Sequence, residues 1–270
     1  MTIKKSTIDQ KAKSHIEAKL KKIESDYDVL ILTSCESGSR AWGFPSADSD
    51  YDIRFVYARK RDDYLSLKDY GNVIEKDIDF DDVLEADIDI SGWDIRKALL
   101  LSLKSNPTLT EWLTSPIQYL VETTDKFREK LYNETTKYSH LQYIKYHYYK
   151  MCLNAFDGTT KRTGIKKYCY SLRPALTLKY LRDKEALPPM DVFSMASKME
   201  LDGDLTKEIA ELFETKLKGS EKDLMDFNYN RVSSFIEEVL SEEEEKSNKP
   251  IPSDSDYKDM DKFLLTIVNS

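Results

Sequence analysis

The sequence predicts an α+β fold, with a head that contains a β-sheet up to about residue 122 and a helical second half. Two stretches indicate the sheet. Val29–Leu32 is an unbroken apolar run and is expected to be a strand buried on both faces, and Asp50–Arg59 is expected to be a second strand. From about Thr123 onward the apolar residues recur at helical spacing, which predicts helices for most of the remaining chain.

The other elements of the head follow from spacing and from proline. Thr7–Ser25 is expected to be an amphipathic helix, because its apolar residues recur at helical spacing. Asp94 is expected to cap a helix that ends near Asn106, since a residue before proline leaves the α region. The remaining predictions are a turn and short helix at Gly38–Gly43, a short helix at Arg61–Tyr70, a hairpin over Val73–Asp89 that leads into the strand Asp87–Ile90, and a short element at Thr110–Tyr119.

Two apolar stripes in the second half predict two helices, from Leu141 to Ala155 and from Ile165 to Leu176. Pro174 should kink the second of these helices, and Pro188 should end it. Further predictions are helices at Asp204–Lys216 and Ser220–Leu240, a linker at Ser241–Ser255 and an apolar tail at Phe263–Val268. We therefore divide the chain into a first domain of residues 1–122, a helical domain of 123–240, and an acidic linker with a C-terminal tail at 241–270.

The composition is that of a globular protein. Of the 270 residues, 40% are hydrophobic and 33% are charged, which is not typical of a disordered chain. The three cysteines show no C-x-x-C spacing, which excludes a disulfide framework or a zinc site of that kind and favours a reducing compartment. The N-terminus lacks the apolar core of a signal peptide, and no apolar run approaches the roughly 20 residues of a membrane span. We expect a cytoplasmic protein without a membrane partner.

The charge is unevenly distributed along the chain. The net charge of −8 argues against a surface built for general nucleic-acid binding. Between Lys137 and Arg182, however, basic residues recur and Asp157 is the only acid. Such a segment favours one particular anionic ligand over polyanions in general.

The stretch from Ser37 to Tyr57 combines a glycine-serine turn with a pair of acids. Asp50 and Asp52 are two residues apart in the second predicted strand, so their carboxylates should project to one face. Two close carboxylates repel each other unless a cation lies between them, and Mg²⁺ prefers such oxygen ligands. The turn at Gly38-Ser39 can offer main-chain N–H groups and a hydroxyl to a phosphate. Together these features are suited to phosphoryl or nucleotidyl transfer.

These residues also carry a resemblance to a known family. Gly-Ser followed by Ser-Asp-x-Asp resembles the signature of the DNA polymerase β superfamily of nucleotidyltransferases, and further motifs narrow the resemblance to its predicted members associated with RNA repair. The motifs, spread over about residues 30–190, are Gly38-Ser39-Arg40-Ala41-Trp42-Gly43 with Ser49-Asp50-Tyr51-Asp52, Asp89-Ile90-Ser91-Gly92-Trp93-Asp94, Asn106-Pro107 with Glu111-Trp112-Leu113, and Ser115-Pro116.

The resemblance implies a fold, an activity and a cofactor. It implies a polymerase-β-like head, in which a small mixed sheet bears the carboxylates, followed by an all-helical domain that closes over the nucleotide. The implied enzyme uses Mg²⁺ or Mn²⁺ to transfer a nucleoside monophosphate from a nucleoside triphosphate to an acceptor hydroxyl. The association with RNA repair makes an RNA end, such as that of a tRNA, the leading acceptor.

The resemblance also assigns roles to individual residues. Asp50 and Asp52 would be catalytic metal ligands, and Asp89 the third ligand, although Asp87 and Asp94 remain alternatives. By default the acids near Asp89 belong to a solvated hairpin and Asp94 is a helix cap. The candidate nucleotide-binding residues are Gly38, Ser39, Arg40, Ser49, Lys166, Lys167 and Arg173.

For some of these residues a plainer interpretation competes. Lys166 and Arg173 lie seven apart on one predicted helix face, which is equally typical of a solvated basic surface. The tyrosines between residues 138 and 180 could stack on bases, but helix packing is the more frequent use. A calcium loop opening at Asp48 is excluded, because Ile53 replaces its glycine and Arg59 its closing glutamate.

Two alternative functions remain open from the residues alone. The same chemistry could modify a protein or small-molecule hydroxyl, as in AMPylation. Alternatively, the chain could be a nucleotide-binding module without catalysis, although the intact Gly38, Ser39, Asp50 and Asp52 argue against a decayed site.

Overall fold

The computed structural model describes residues 8–156, 165–219, 229–242 and 250–269. These residues form two compact units. The sheet unit contains residues 8–38, 50–139 and 250–269, and the helical unit contains residues 39–49 and the described residues from 140 to 242. Each unit is therefore built from segments that are distant in sequence.

The sheet unit is organised around a mixed sheet. Its strands are β1 (Val29–Glu36), β2 (Tyr51–Arg59), β3 (Val73–Glu75), β4 (Asp79–Asp81), β5 (Ala86–Asp94) and β6 (Gln118–Tyr119). Their order is β3-β5-β2-β1-β6, and β4 also pairs with β5. The pair β2–β5 is parallel and the other pairs are antiparallel.

The helices surround this sheet or form the second unit. In chain order they are α1 (Gln10–Tyr27), α2 (Gly38–Trp42), α3 (Arg61–Tyr64), α4 (Ile95–Ser102), α5 (Thr108–Thr114), α6 (Val121–Thr135), α7 (Leu141–Ala155), α8 (Ile165–Lys184), α9 (Val192–Ala196), α10 (Gly203–Lys218), α11 (Asn230–Ser241) and α12 (Asp254–Val268). A single 3₁₀ turn, Thr136–Tyr138, follows α6. None of the described helices is both long and apolar enough to span a bilayer.

Side chains of β2 that point to opposite faces of the sheet are buried in two different apolar clusters. Ile53 and Phe55 are buried in a cluster with Ile16 and Leu20 of α1. Val56, which points to the other face, is buried in a second cluster with residues of α4, α5 and α12. Full burial of each such side chain contributes about 1.5–3 kcal/mol to folding. The sheet is thus held between two apolar layers.

The helical unit has its own core around α8. This helix continues through Pro174, and its side chains are buried on nearly all sides. Phe44, from the segment between β1 and β2, is fully buried in the same core and stacks on Phe213 of α10 with ring centroids 4.9 Å apart. Residues 39–49 therefore pack with the helical unit, although they connect two strands of the sheet.

The predicted α+β class and the small mixed sheet are confirmed. Asp94 caps α4 as expected, because its carboxylate accepts a hydrogen bond from the N–H of Arg96. The expected burial of the first strand on both faces is wrong at Leu30, which is 47% exposed.

Two boundaries differ from the predictions, and one predicted helix lies partly outside the described residues. Helix α6 forms where a helix was expected, but Leu131 packs it into the sheet unit, and the helical unit resumes only at residue 140. The expected apolar tail is instead part of α12, which begins with a capping box between Ser253 and Asp256. The predicted helix Ser220–Leu240 lies partly outside the described residues, and the described part forms α11.

Candidate active site

Two aspartates of the sheet unit lie side by side on neighbouring strands. Asp52 of β2 and Asp89 of β5 are direct partners in the parallel register. Because paired residues of adjacent strands point to the same face, both carboxylates project together. Each side chain is partly exposed, 28% for Asp52 and 24% for Asp89. The structure therefore brings together two of the three expected metal ligands.

Asp50, the third expected ligand, directly precedes β2 and is exposed. Of the alternatives, Asp87 is also exposed, whereas Asp94 is buried and has other partners. The Asp94 carboxylate accepts hydrogen bonds from the N–H of Arg96 (2.8 Å) and from the hydroxyl of Tyr64 (3.0 Å). Burial raises its pKa. These contacts give Asp94 a structural role as a helix cap.

An arginine bridges the two paired aspartates. The Nη2 atom of Arg54 lies 2.6 Å from Oδ2 of Asp89 and 3.3 Å from Oδ1 of Asp52. Its Nη1 donates to the main-chain carbonyls of Ile53 (3.0 Å) and Asp89 (3.1 Å). The guanidinium thus supplies positive charge between the two carboxylates. Our sequence interpretation missed Arg54, although its position two residues after Asp52 on the same strand face was the available signal.

Gly38 lies directly against the carboxylate of Asp52. Its φ of +57° is in the left-handed region, and a Cβ atom built on it would lie 1.9 Å from Oδ2 of Asp52. In addition, the N–H of Ser37 donates to the main-chain carbonyl of Asp52 (2.8 Å). Only glycine can bring the chain this close to the carboxylate, so the turn after β1 and the start of β2 form one compact arrangement.

A buried glutamate supports the main chain behind this arrangement. Glu36, at the end of β1, is fully buried, and its Oε1 accepts a hydrogen bond from the N–H of Asp52 (2.8 Å). Its Oε2 accepts one from the hydroxyl of Tyr119 (2.5 Å). Burial and then the Glu36 charge raise the pKa of Tyr119, which therefore keeps the proton that it donates. Glu36 was not predicted from the sequence, although an acid at the end of an apolar strand was the available signal.

The other residues of the predicted phosphate turn belong to the helical unit. Ser39 and Ser49 are buried, and Nη2 of Arg40 donates to the main-chain carbonyl of Ser49 (2.6 Å). The Ser49 hydroxyl accepts from the N–H of Ser46 (2.9 Å), and Nζ of the fully buried Lys216 donates to Oγ of Ser46 (2.7 Å). These contacts hold residues 39–49 within the helical unit, and the assignment of Ser39, Arg40 and Ser49 to nucleotide binding stays a prediction.

The predicted basic residues from the second half of the chain all lie on α8. Arg173 is 2% exposed, and its guanidinium carbon lies 4.4 Å from the ring centroid of Trp42, a cation–π contact. Lys166 and Lys167 are half-buried, and Nζ of Lys166 lies 5.6 Å from the ring centroid of Tyr170. Phosphate contact by these three residues stays a prediction, and the burial of Arg173 favours a structural role for its guanidinium.

The chemistry of the paired carboxylates fits a divalent cation. Within the described ranges, no three His, Cys, Asp or Glu side chains are close enough to hold a metal ion together. Asp52 and Asp89 nevertheless offer adjacent carboxylate oxygens, and Arg54 shows that this position accommodates positive charge. Mg²⁺ is often bound by only one or two carboxylates, with water and substrate phosphates completing its shell.

Comparisons with known proteins give a consistent family. Residues 12–266 match the RNA repair pathway DNA polymerase beta family. The chain is also 40% identical over 234 residues to an uncharacterized protein, YcgL, of Bacillus subtilis, which covers 84% of this chain and 86% of YcgL.

A crystal structure of a nucleotidyltransferase-like protein from Exiguobacterium sibiricum is similar over 84% of this chain and 74% of that chain, with 11% identity and a TM-score of 0.34. A score this low does not by itself establish a common fold. The family match spans nearly the whole chain and contains both the paired aspartates and the turn at Gly38. The chain therefore belongs to the RNA repair pathway DNA polymerase beta family, whose members are polymerase-β-like nucleotidyltransferases.

Proposed function

We propose that the protein transfers a nucleoside monophosphate from a nucleoside triphosphate to the hydroxyl of an RNA end, such as that of a tRNA, with Mg²⁺ or Mn²⁺ as cofactor. The observation that carries the proposal is the arrangement of Asp52 and Asp89 in register, with Gly38 packed against the Asp52 carboxylate. A cation site beside a glycine turn that can approach phosphate is what nucleotidyl transfer requires.

In this proposal the carboxylates of Asp50, Asp52 and Asp89 would hold the divalent ions. Bound metal supplies activation of the acceptor hydroxyl and stabilisation of charge on the leaving pyrophosphate. Gly38 and Ser39 would place main-chain N–H groups against the β- and γ-phosphates. The acceptor oxygen forms a bond to the α-phosphorus, the bond from that phosphorus to the bridging oxygen breaks, and the hydroxyl proton is released. Each transfer therefore yields one pyrophosphate.

Two observations support a compact RNA end as the acceptor, the family description and the net charge of the protein. The family description names an RNA repair pathway, which favours RNA. A net charge of −8 disfavours long, nonspecific contact with a polyanion. Together they favour a compact RNA end, and we propose Lys166 and Lys167 as residues that contact phosphate.

The test is pyrophosphate release from each nucleoside triphosphate in turn, with Mg²⁺ or Mn²⁺ and total RNA as the acceptor. We expect release with one nucleotide that depends on RNA. Asp52→Asn should abolish it, because the variant keeps the shape of the side chain but loses the charge that binds the cation. Asp82→Asn is the matched control, since Asp82 is exposed in the turn between β4 and β5 and should be fully active.

Three other outcomes would change the proposal. Release that requires protein extract instead of RNA would establish a protein acceptor. Nucleotide binding without release under any condition would leave a binding module. Full activity in the folded Asp52→Asn variant would refute the role of this carboxylate.

A further inference from the structure

The guanidinium of Arg54 lies where a cation shared by Asp52 and Asp89 is expected. It contacts one oxygen of each carboxylate through a single nitrogen, Nη2, at 2.6 and 3.3 Å. A Mg²⁺ ion bound by the same oxygens would lie about 2.0–2.1 Å from them. The guanidinium and the metal ion would therefore occupy nearly the same position, and their positive charges repel each other.

We propose that Arg54 competes with the divalent cation for Asp52 and Asp89, and that a nucleoside triphosphate brings the metal in by offering the guanidinium another anion. This inference rests on the proposed function and concerns the order in which its ligands bind. Without nucleotide, Arg54 offsets one of the two negative charges and keeps the affinity for free metal low. With nucleotide, metal and triphosphate bind cooperatively.

The surroundings of Arg54 show why an anion is needed to release it. Besides the two carboxylates, the guanidinium donates through Nη1 to the main-chain carbonyls of Ile53 and Asp89. The side chain is only 19% exposed, so the contacts that break when it leaves are largely shielded from water. A phosphate group can accept two parallel hydrogen bonds from a guanidinium, which compensates for those lost. A metal ion alone offers no such compensation.

The competing interpretation is that Arg54 is a scaffold that remains between the carboxylates when metal binds. Arg54 would then hold Asp52 and Asp89 at the correct separation, and its removal would let them repel each other and move apart. The two interpretations predict opposite signs for metal affinity. Removal of a competitor strengthens metal binding, whereas removal of a scaffold weakens it.

The experiment measures Mn²⁺ binding to the full chain by electron paramagnetic resonance, with and without a non-hydrolysable nucleoside triphosphate analogue. Arg54→Gln removes the charge and keeps a polar, though shorter, side chain. Arg61→Gln, on the exposed helix α3, removes the same charge from the same unit and is the control. Circular dichroism and urea unfolding check that each variant is folded.

We expect Arg54→Gln to bind Mn²⁺ without nucleotide about tenfold more tightly than the unsubstituted protein, a difference of about 1.4 kcal/mol. The enhancement of Mn²⁺ affinity by the analogue should decrease by the same factor, because in the nucleotide-bound protein Arg54 has already left the carboxylates and its substitution leaves the Mn²⁺ affinity unchanged. Arg61→Gln should change neither quantity. Arg54→Lys keeps the charge but has one terminal nitrogen instead of two. Its Mn²⁺ affinity should lie between those of the unsubstituted protein and Arg54→Gln.

Mn²⁺ binding that Arg54→Gln leaves unchanged or weakens would overturn the inference while leaving the metal site in place. If Arg54→Gln does not fold, Arg54→Lys decides, and an affinity equal to or weaker than that of the unsubstituted protein overturns the inference. Absence of Mn²⁺ binding in every variant, with and without nucleotide, would refute the metal site and with it the role of Arg54.

Discussion

Gly38→Ala tests how tightly the turn after β1 depends on the Asp52 carboxylate. Two costs are expected. A φ of +57° costs alanine about 1 kcal/mol relative to glycine. The added Cβ would lie 1.9 Å from Oδ2 and 2.7 Å from Cγ of Asp52, so the carboxylate or the turn must move, which costs about 1–3 kcal/mol more. We expect the free energy of unfolding to decrease by about 2–4 kcal/mol in total.

The chain provides a matched control for this substitution. Gly71 has a similar φ of +69°, but no atom lies within 4 Å of the position of its Cβ. Gly71→Ala therefore bears the backbone cost alone, about 1 kcal/mol, reduced by the lower entropy of the unfolded alanine chain. Urea unfolding of both variants separates the cost of the backbone conformation from the cost of the contact between the new Cβ and Asp52. Pyrophosphate release should be lost only in Gly38→Ala. Equal stability losses in the two variants, with activity retained in both, would refute the close approach of Gly38 to Asp52.

Two further predictions concern buried carboxylates. Glu36→Gln cannot accept from both the Asp52 N–H and the Tyr119 hydroxyl, and should lower the free energy of unfolding by about 1–3 kcal/mol. In urea unfolding, Tyr119→Phe should then cost less in the Glu36→Gln background than alone, and additive losses would contradict the shared hydrogen bond. Burial raises the pKa of Asp81, but hydrogen bonds from Lys19 and His15 outweigh burial and lower it overall. The stability that Asp81 contributes should thus be present above its unfolded pKa of about 3.9 and be lost below it, so Asp81→Asn should reduce the difference between urea midpoints at pH 7 and pH 3.

The face on which Asp52 projects was predictable, because it depends on a short-range pattern. The burial of alternate residues in β2 fixes the face on which Asp52 projects. The residue that pairs with Asp52 was less certain. Asp87, Asp89 and Asp94 all lie on one strand, and only the register of that strand with β2 distinguishes them. That register comes from strand pairing across the sheet, which no local pattern reports.

Long-range contacts account for what the sequence did not reveal. The role of Glu36 becomes visible only in the structure, where the hydroxyl of Tyr119 from β6 donates a hydrogen bond to its carboxylate. Lys216 was predicted only as the end of a helix, yet its side chain is fully buried and donates to Ser46. In both cases the partner lies more than 80 residues away in sequence, at a separation of 83 and 170 residues, respectively. Periodicity places a residue on a face, but it does not identify what covers that face.

The packing of residues 39–49 with the helical unit has a consequence for synthesis on the ribosome. This segment is made early, but its partners Phe213 and Lys216 emerge more than 160 residues later. The second apolar layer of the sheet unit likewise includes Met260 of α12, which is synthesised after the sheet. Neither unit can complete its core before these later segments have been synthesised, so folding of the N-terminal part first, as in many multidomain proteins, cannot complete either core here. Phe44 therefore lacks its native ring partner, Phe213, until most of the helical unit has been synthesised.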